Sequence, residues 1–190
     1  MKKLLAMILA VLLLASCAAG TSTTPTPSPT PEPTETPTPV PSVTNNFGTL
    51  SDVIEGLENS PDTQGLIGVF DAEPQFEAAT AENPRDFYSY TVSDGIFIFF
   101  HTDAGADTVT GVQVATTPAA LNDEQWQEFI SCVFDLIYYF EPTDEFMSVM
   151  VKLKLDNFDY QTPAATVATG TEAKFTYALG EITVLMVTPK

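Results

Sequence analysis

The sequence predicts an α+β fold, in which an antiparallel sheet of five to six strands has two to three helices packed on one face. Apolar residues recur with a helical period over residues 50–57 and again over residues 123–140. From residue 87 onward the apolar period changes to two, and Asp94 with Gly95 supplies a tight turn between two short apolar segments. Strands that follow one another without intervening helices favour antiparallel pairing.

The first helix is predicted over residues 50–57, where four apolar residues form one stripe: Leu50, Val53, Ile54 and Leu57. Thr49 and Asp52 have the spacing of a capping box, which satisfies free backbone amides at the start of a helix. The segment 61–85 is ambiguous, because residues 65–70 are compatible with a short strand and residues 75–81 with a helical turn or a loop.

Three strands are predicted next. Residues 87–92 and 96–101 form a hairpin, because the glycine of the Asp94-Gly95 turn tolerates the positive φ that tight hairpins need. Residues 108–116 form the third strand, and Gly111 interrupts its alternation, which indicates a β-bulge.

The longest helix is predicted over residues 123–140, with Asn122 as its N-cap and a glutamine three residues later. Thr143 is predicted to cap a further helix over residues 144–155. Residues 151–155 alternate like a strand, but the cap and the helical spacing before them favour the helix.

A last hairpin is predicted from residues 173–179 and 181–188 around Gly180. It resembles the hairpin at residues 87–101, and each of the two comes after a helix. A helix-then-hairpin unit used twice is therefore one interpretation, and chance similarity is the other, because hairpins share a common composition.

Composition excludes several classes of protein. The 190 residues include 7 basic and 25 acidic side chains, a formal net charge of −18, so no basic face for nucleic acid is expected. Two cysteines and one histidine are too few for a disulfide scaffold or for a zinc site of the usual Cys/His type.

The N-terminus has the pattern of a secretory signal: Lys2 and Lys3, then an apolar run over residues 4–14, then small residues. The run is too short to span a bilayer, which takes about 20 residues. The stretch Leu14-Ala15-Ser16-Cys17 resembles the lipobox of bacterial lipoprotein precursors. The resemblance implies cleavage before Cys17, acylation of its sulfur, and a lipid-anchored location on the extracytoplasmic side of the cell membrane. The alternative is a secreted protein with a chance cysteine near the cut.

The predicted domain organisation follows from this pattern. Residues 1–16 are the signal peptide and residues 17–20 the lipid-anchored mature N-terminus. Residues 21–44 form a Thr/Pro-rich tether, either disordered or in the polyproline-II conformation, which reaches roughly 70 Å when extended. Residues 45–190 form a single α+β domain.

Few residues suggest chemistry. His101 is the only histidine, and a dyad with Cys132 is conceivable, but a core cysteine and a polar strand end are the preferred interpretation. No familiar catalytic motif is present, so we expect neither an enzyme nor a cofactor. Asp103 and Asp107 flank a glycine and are a weak calcium candidate, with a solvated turn as the default.

The strand at residues 96–100 is apolar on both faces, with Phe97 and Phe99 on one of them. Either the segment 61–85 covers these two side chains, or they belong to an exposed face that binds a peptide, a glycan or a second copy. The sequence thus favours a lipid-anchored surface protein that presents a non-catalytic domain to a protein, peptide or glycan partner. The alternatives are a small extracytoplasmic hydrolase acting on cell-wall material and a proteinaceous inhibitor.

Overall fold

The structure of the protein is a computed structural model, which describes residues 46–61, 63–142, 144–156 and 164–190. The helices are α1 (Leu50–Asn59), α2 (Asp123–Phe140) and α3 (Glu145–Leu153). The strands are β1 (Gln75–Glu77), β2 (Arg85–Ser93), β3 (Ile96–Asp103), β4 (Val109–Thr116), β5 (Ala164–Thr169), β6 (Ala173–Leu179) and β7 (Thr183–Pro189). Short 3₁₀ turns lie at Gln64–Leu66, Val69–Asp71 and Pro118–Ala120.

The strands form one antiparallel sheet in the order β1-β2-β3-β4-β7-β6-β5. The predicted α+β class with an antiparallel sheet is therefore confirmed, but seven strands exceed the predicted five to six. The two additional strands are the edges, β1 and β5. β1 has only three residues, and β5 consists of Ala, Thr and Val, so neither shows a clear alternation of large apolar and polar side chains.

The hydrophobic core lies between the helices and one face of the sheet. This face carries the inward residues of the four middle strands: Ile96, Ile98, Phe100, Val112, Val114, Phe175, Leu185 and Val187. All three α-helices of the described ranges contribute buried residues to the same cluster, among them Leu57, Phe129, Val133, Val149 and Leu153. Ile98, Val114 and Leu185 lie opposite one another in adjacent strands, so the strand register aligns these side chains on the face that contacts the helices.

The helices begin where their caps predict. Thr49 forms the capping box of α1 with Asp52, and Asn122 forms that of α2 with Gln125, so both predicted boxes are confirmed. The predicted cap Thr143 lies outside the described residues. α3 ends at Leu153 rather than at residue 155, because Lys154 adopts a left-handed conformation with φ 61°.

The segment 61–85 differs from both predictions made for it. Residues 65–70 lie in two 3₁₀ turns and the link between them rather than in a strand. The first turn packs on α2, where the Gly65 amide donates to Asp135 Oδ2 at 2.7 Å, and the second packs on β2. Gln75–Glu77 is the edge strand β1 rather than a helical turn or loop. The predicted bulge is present, because His101 pairs with Gly111 while Thr102 pairs with Val109, which leaves Thr110 as the extra residue.

Candidate functional site

The sheet has a second face, which we call the distal face, whose side chains point away from the core. It is defined by Phe87, Phe97, Phe99, His101, Gln113, Ala115 and Met186. The register brings these residues together, because Phe97 lies opposite Ala115, and Phe99 lies opposite both Ser89 and Gln113. Both predicted ligand-binding residues, Phe97 and Phe99, are therefore on one face of the central strand β3.

The two phenylalanines differ in exposure. Phe99 is 6% exposed, whereas Phe97 is half-buried, and their ring centroids lie 6.3 Å apart. Phe99 does not belong to the core cluster that contains the helices. The segment that was expected to cover them packs on the other side, since Phe70 contacts the rings of Tyr90 and Phe100 on the helix side of the sheet.

His101 is 2% exposed and packs against the ring of Phe87, with centroids 4.6 Å apart. Burial, and after it the positive charge of Arg85, lower the pKa of His101 to about 4. The neighbouring Gln113 side chain opposes this shift. The imidazole is therefore neutral at neutral pH.

Two polar atoms of the distal face form no hydrogen bond of ordinary geometry within the part of the chain that the structure describes, although their side chains are neighbours. They are Nε2 of His101 and Oε1 of Gln113, and both residues are 2% exposed. Buried polar atoms are usually hydrogen-bonded, because leaving one unpaired costs roughly 1–3 kcal/mol. Both atoms are shielded from solvent, so they lie beneath the distal face and not on its surface.

The structure does not bring Cys132 to His101. Cys132 lies in α2 within the core cluster, where its Sγ lies 3.7 Å from the carbonyl oxygen of Gly65. Burial, and after it the nearby carboxylates of Asp135 and Glu128, raise the pKa of the Cys132 thiol to about 12. The thiol stays protonated, so it is a poor nucleophile.

The loop with Asp103 and Asp107 is organised by a carboxylate from another strand. Asp86 is 5% exposed, and its Oδ2 accepts from the Gly105 amide at 2.8 Å while its Oδ1 accepts from the Ala79 amide at 2.6 Å. Across the described ranges, no group of three or more His, Cys, Asp or Glu side chains could hold a metal ion.

Sequence reasoning did not single out Asp86, Gln113 or Glu141 as buried polar residues. Glu141, which is 1% exposed, follows α2 and accepts from the Thr171 amide with both oxygens, at 2.9 and 3.0 Å. No local signal distinguishes these side chains among 25 acids and several amides, because their burial depends on how the strands and loops pack.

The lipobox with Cys17, the signal peptide and the tether lie outside the described residues. None of the helices in the described ranges is long and apolar enough to cross a membrane. No protein family matches the chain, and neither does any curated protein or solved structure.

Proposed function

We propose that the protein is a lipid-anchored extracytoplasmic lipoprotein that presents a non-catalytic ligand-binding domain on a Thr/Pro-rich tether. The lipobox-like stretch ending at Cys17 supports the anchor. After loss of Lys2 and Lys3, the chain carries 5 basic and 25 acidic side chains, a net charge of −20, which would oppose adsorption to anionic lipids. The lipid chains contribute about 0.8 kcal/mol of binding free energy for each methylene that they bury in the bilayer, and they therefore provide the membrane contact.

We propose the distal face as the ligand-binding surface. The observation that carries this proposal is the aromatic pair of Phe97 and Phe99, which lies outside the core cluster and leaves the Phe97 ring half-buried. A ligand that places apolar groups on the Phe97 ring and keeps polar groups towards solvent would fit this face. Proteins, peptides and glycans all combine such groups.

Site-specific photo-crosslinking tests the surface. A photoreactive phenylalanine analogue replaces Phe97 in the full chain, and cells that process lipoproteins are irradiated. We expect a crosslinked adduct of defined mass. The matched control places the analogue at Phe134, a half-buried phenylalanine of α2 on the helix side. Equal adducts at both positions, or none at Phe97, would contradict the proposed surface.

Mass spectrometry of the membrane fraction tests the anchor. The mature chain should begin at Cys17 and carry acyl chains, and the Cys17→Ser variant should lose them. A water-soluble mature form without acyl chains would rule out the lipoprotein interpretation while leaving the distal face untouched.

We also infer that the internal repeat comprises β2-β3-β4 and β5-β6-β7 rather than the two similar hairpins. β4 and β7 are antiparallel neighbours at the centre of the sheet, so a twofold rotation perpendicular to the sheet exchanges the two three-stranded units. In the first hairpin the chain moves from β2 to β3 towards β5, whereas in the second it moves from β6 to β7 towards β1. The second strands of the two hairpins, β3 and β7, nevertheless run in the same direction. No rotation superposes these hairpins while keeping the helices on one side.

A further inference from the structure

The two edges of the sheet differ in charge. Residues 46–142 contain one basic and 17 acidic side chains, whereas residues 143–190 contain four basic and six acidic ones. The four lysines of the second range are all exposed: Lys152, Lys154, Lys174 and Lys190. They lie on or beside β5, because α3 packs against β5, Lys174 pairs with Thr169, and Lys190 Nζ donates to Gly170.

The same edges carry the exposed apolar side chains. Of the large apolar residues that are more than half exposed in the described ranges, Val167 lies in β5, and Met147 and Val151 lie on α3, which packs against β5. The other two are Phe76, which lies in β1, and Ile67, which precedes it. Exposed Glu73 and half-buried Glu77 flank Phe76, so the β1 edge is apolar and acidic.

Both edges also have unpaired backbone groups. β5 pairs only with β6, and β1 pairs only with β2, among the strands that the structure describes. A charged residue or a proline in an edge strand hinders its pairing with another chain. β5 contains neither. An edge of this kind can accept an additional strand.

We propose that the β5 edge of one molecule docks on the β1 edge of a second copy, which gives a head-to-tail assembly. Pairing β5 with β5 would oppose lysines, and pairing β1 with β1 would oppose glutamates. Only the heterologous contact brings these lysines against these glutamates, and on the helix side it also brings Met147 and Val151 towards Phe76. This contact depends on neither the lipid anchor nor the distal face.

The topology defines the geometry of the contact. Because seven antiparallel strands give β1 and β5 the same direction, a copy added with its helices on the same side pairs β5 with β1 in parallel. The three residues of β1 limit the backbone ladder, so the apolar and charged side chains contribute much of the affinity. A heterologous contact that does not close into a ring continues as a chain of copies.

Charge reversal tests the proposal in the full chain, purified in a mild detergent with micelles in excess. One variant combines Lys152→Glu with Lys174→Glu, and the other combines Glu73→Lys with Glu77→Lys. We expect wild-type copies with two different tags to capture one another. Each variant should capture itself at least about tenfold more weakly. The two variants mixed together should capture one another in alternation at about wild-type strength, because their retained edges still pair and their two reversed edges are again opposite in charge.

The outcomes distinguish the alternatives. Self-capture of the glutamate-reversed variant at wild-type strength would indicate β5–β5 pairing and overturn the proposal. Self-capture of the lysine-reversed variant would indicate β1–β1 pairing, with the same consequence. Absence of capture between wild-type copies at about 100 μM would also overturn the proposal. Binding of an acidic β-strand peptide at β5 without self-association of the protein would overturn it as well. Circular dichroism of each variant verifies the fold.

Discussion

The imidazole of His101 is held neutral by its surroundings, which makes it a site where pH acts on stability. Its folded pKa of about 4 lies below the unfolded value of 6.5, so the unfolded chain binds more protons between these two values. The free energy of unfolding should therefore decrease as the pH falls from 7 to 5, by about 2 kcal/mol. Urea unfolding at several pH values measures this change.

The His101→Phe variant is the matched control, because it preserves an aromatic ring without a titrating group. Its stability should change little between pH 7 and 5, since His101 is the only histidine and carboxyl groups titrate mainly at lower pH. Equal pH dependence in both proteins would show that the buried imidazole is not the cause.

Gly170 meets the buried carboxylate of Glu141. A Cβ at Gly170 would collide with the Glu141 side chain, whose two oxygens accept from the neighbouring Thr171 amide. We expect Gly170→Ala to lower the free energy of unfolding by about 1–3 kcal/mol. Gly180→Ala is the control, because its Cβ would meet only the Ile182 carbonyl oxygen at 3.7 Å. Equal losses in the two variants would contradict this account.

At the scale of elements, the start of α2 depends on the side chain of Asn122. Its Oδ1 accepts from the Gln125 amide at 3.0 Å, and Gln125 Oε1 accepts from the Asn122 amide at 3.0 Å. Asn122→Ala should lower the free energy of unfolding by about 1 kcal/mol, whereas Asn122→Asp should retain the cap. Thermal unfolding of both variants measures the difference, and similar losses would argue against the cap.

The sequence predicted those elements whose signals are local. α2 was predicted with both of its bounds, because its cap and apolar stripe lie within the helix itself. β1 and β5 were missed, because three residues are too few for a period, and because the small side chains of β5 lack an apolar face. These strands form through pairing with β2 and β6, so tertiary contacts outweigh their local preference.

The candidate site was predicted only in part, for a reason that belongs to the whole sheet. Alternation places Phe97, Phe99 and His101 on one face of β3, but it does not place Gln113 beside them. The position of Gln113 depends on the register between β3 and β4, in which it lies opposite Phe99. Sequence periodicity defines faces within a strand, whereas register is a property of two strands.

Charge acts on the whole molecule. Residues 46–190 carry 5 basic and 23 acidic side chains, a net charge of −18, and the resulting repulsion opposes the folded state. Raising NaCl from about 20 to 300 mM shortens the Debye length from roughly 20 to 6 Å, so we expect a higher melting temperature. Choline chloride should act equally, and an effect limited to one cation would indicate specific ion binding instead.

The interior position of Cys132 matters if, as proposed, the protein is displayed outside the cytoplasm. If Cys17 carries lipid, the mature chain retains one sulfhydryl group, and its position on the buried side of α2 keeps it protonated. Peroxides and disulfide reagents attack the deprotonated form of an accessible sulfur. The native molecule should therefore resist both oxidative damage and covalent cross-linking to its neighbours, and it should become reactive only when it unfolds.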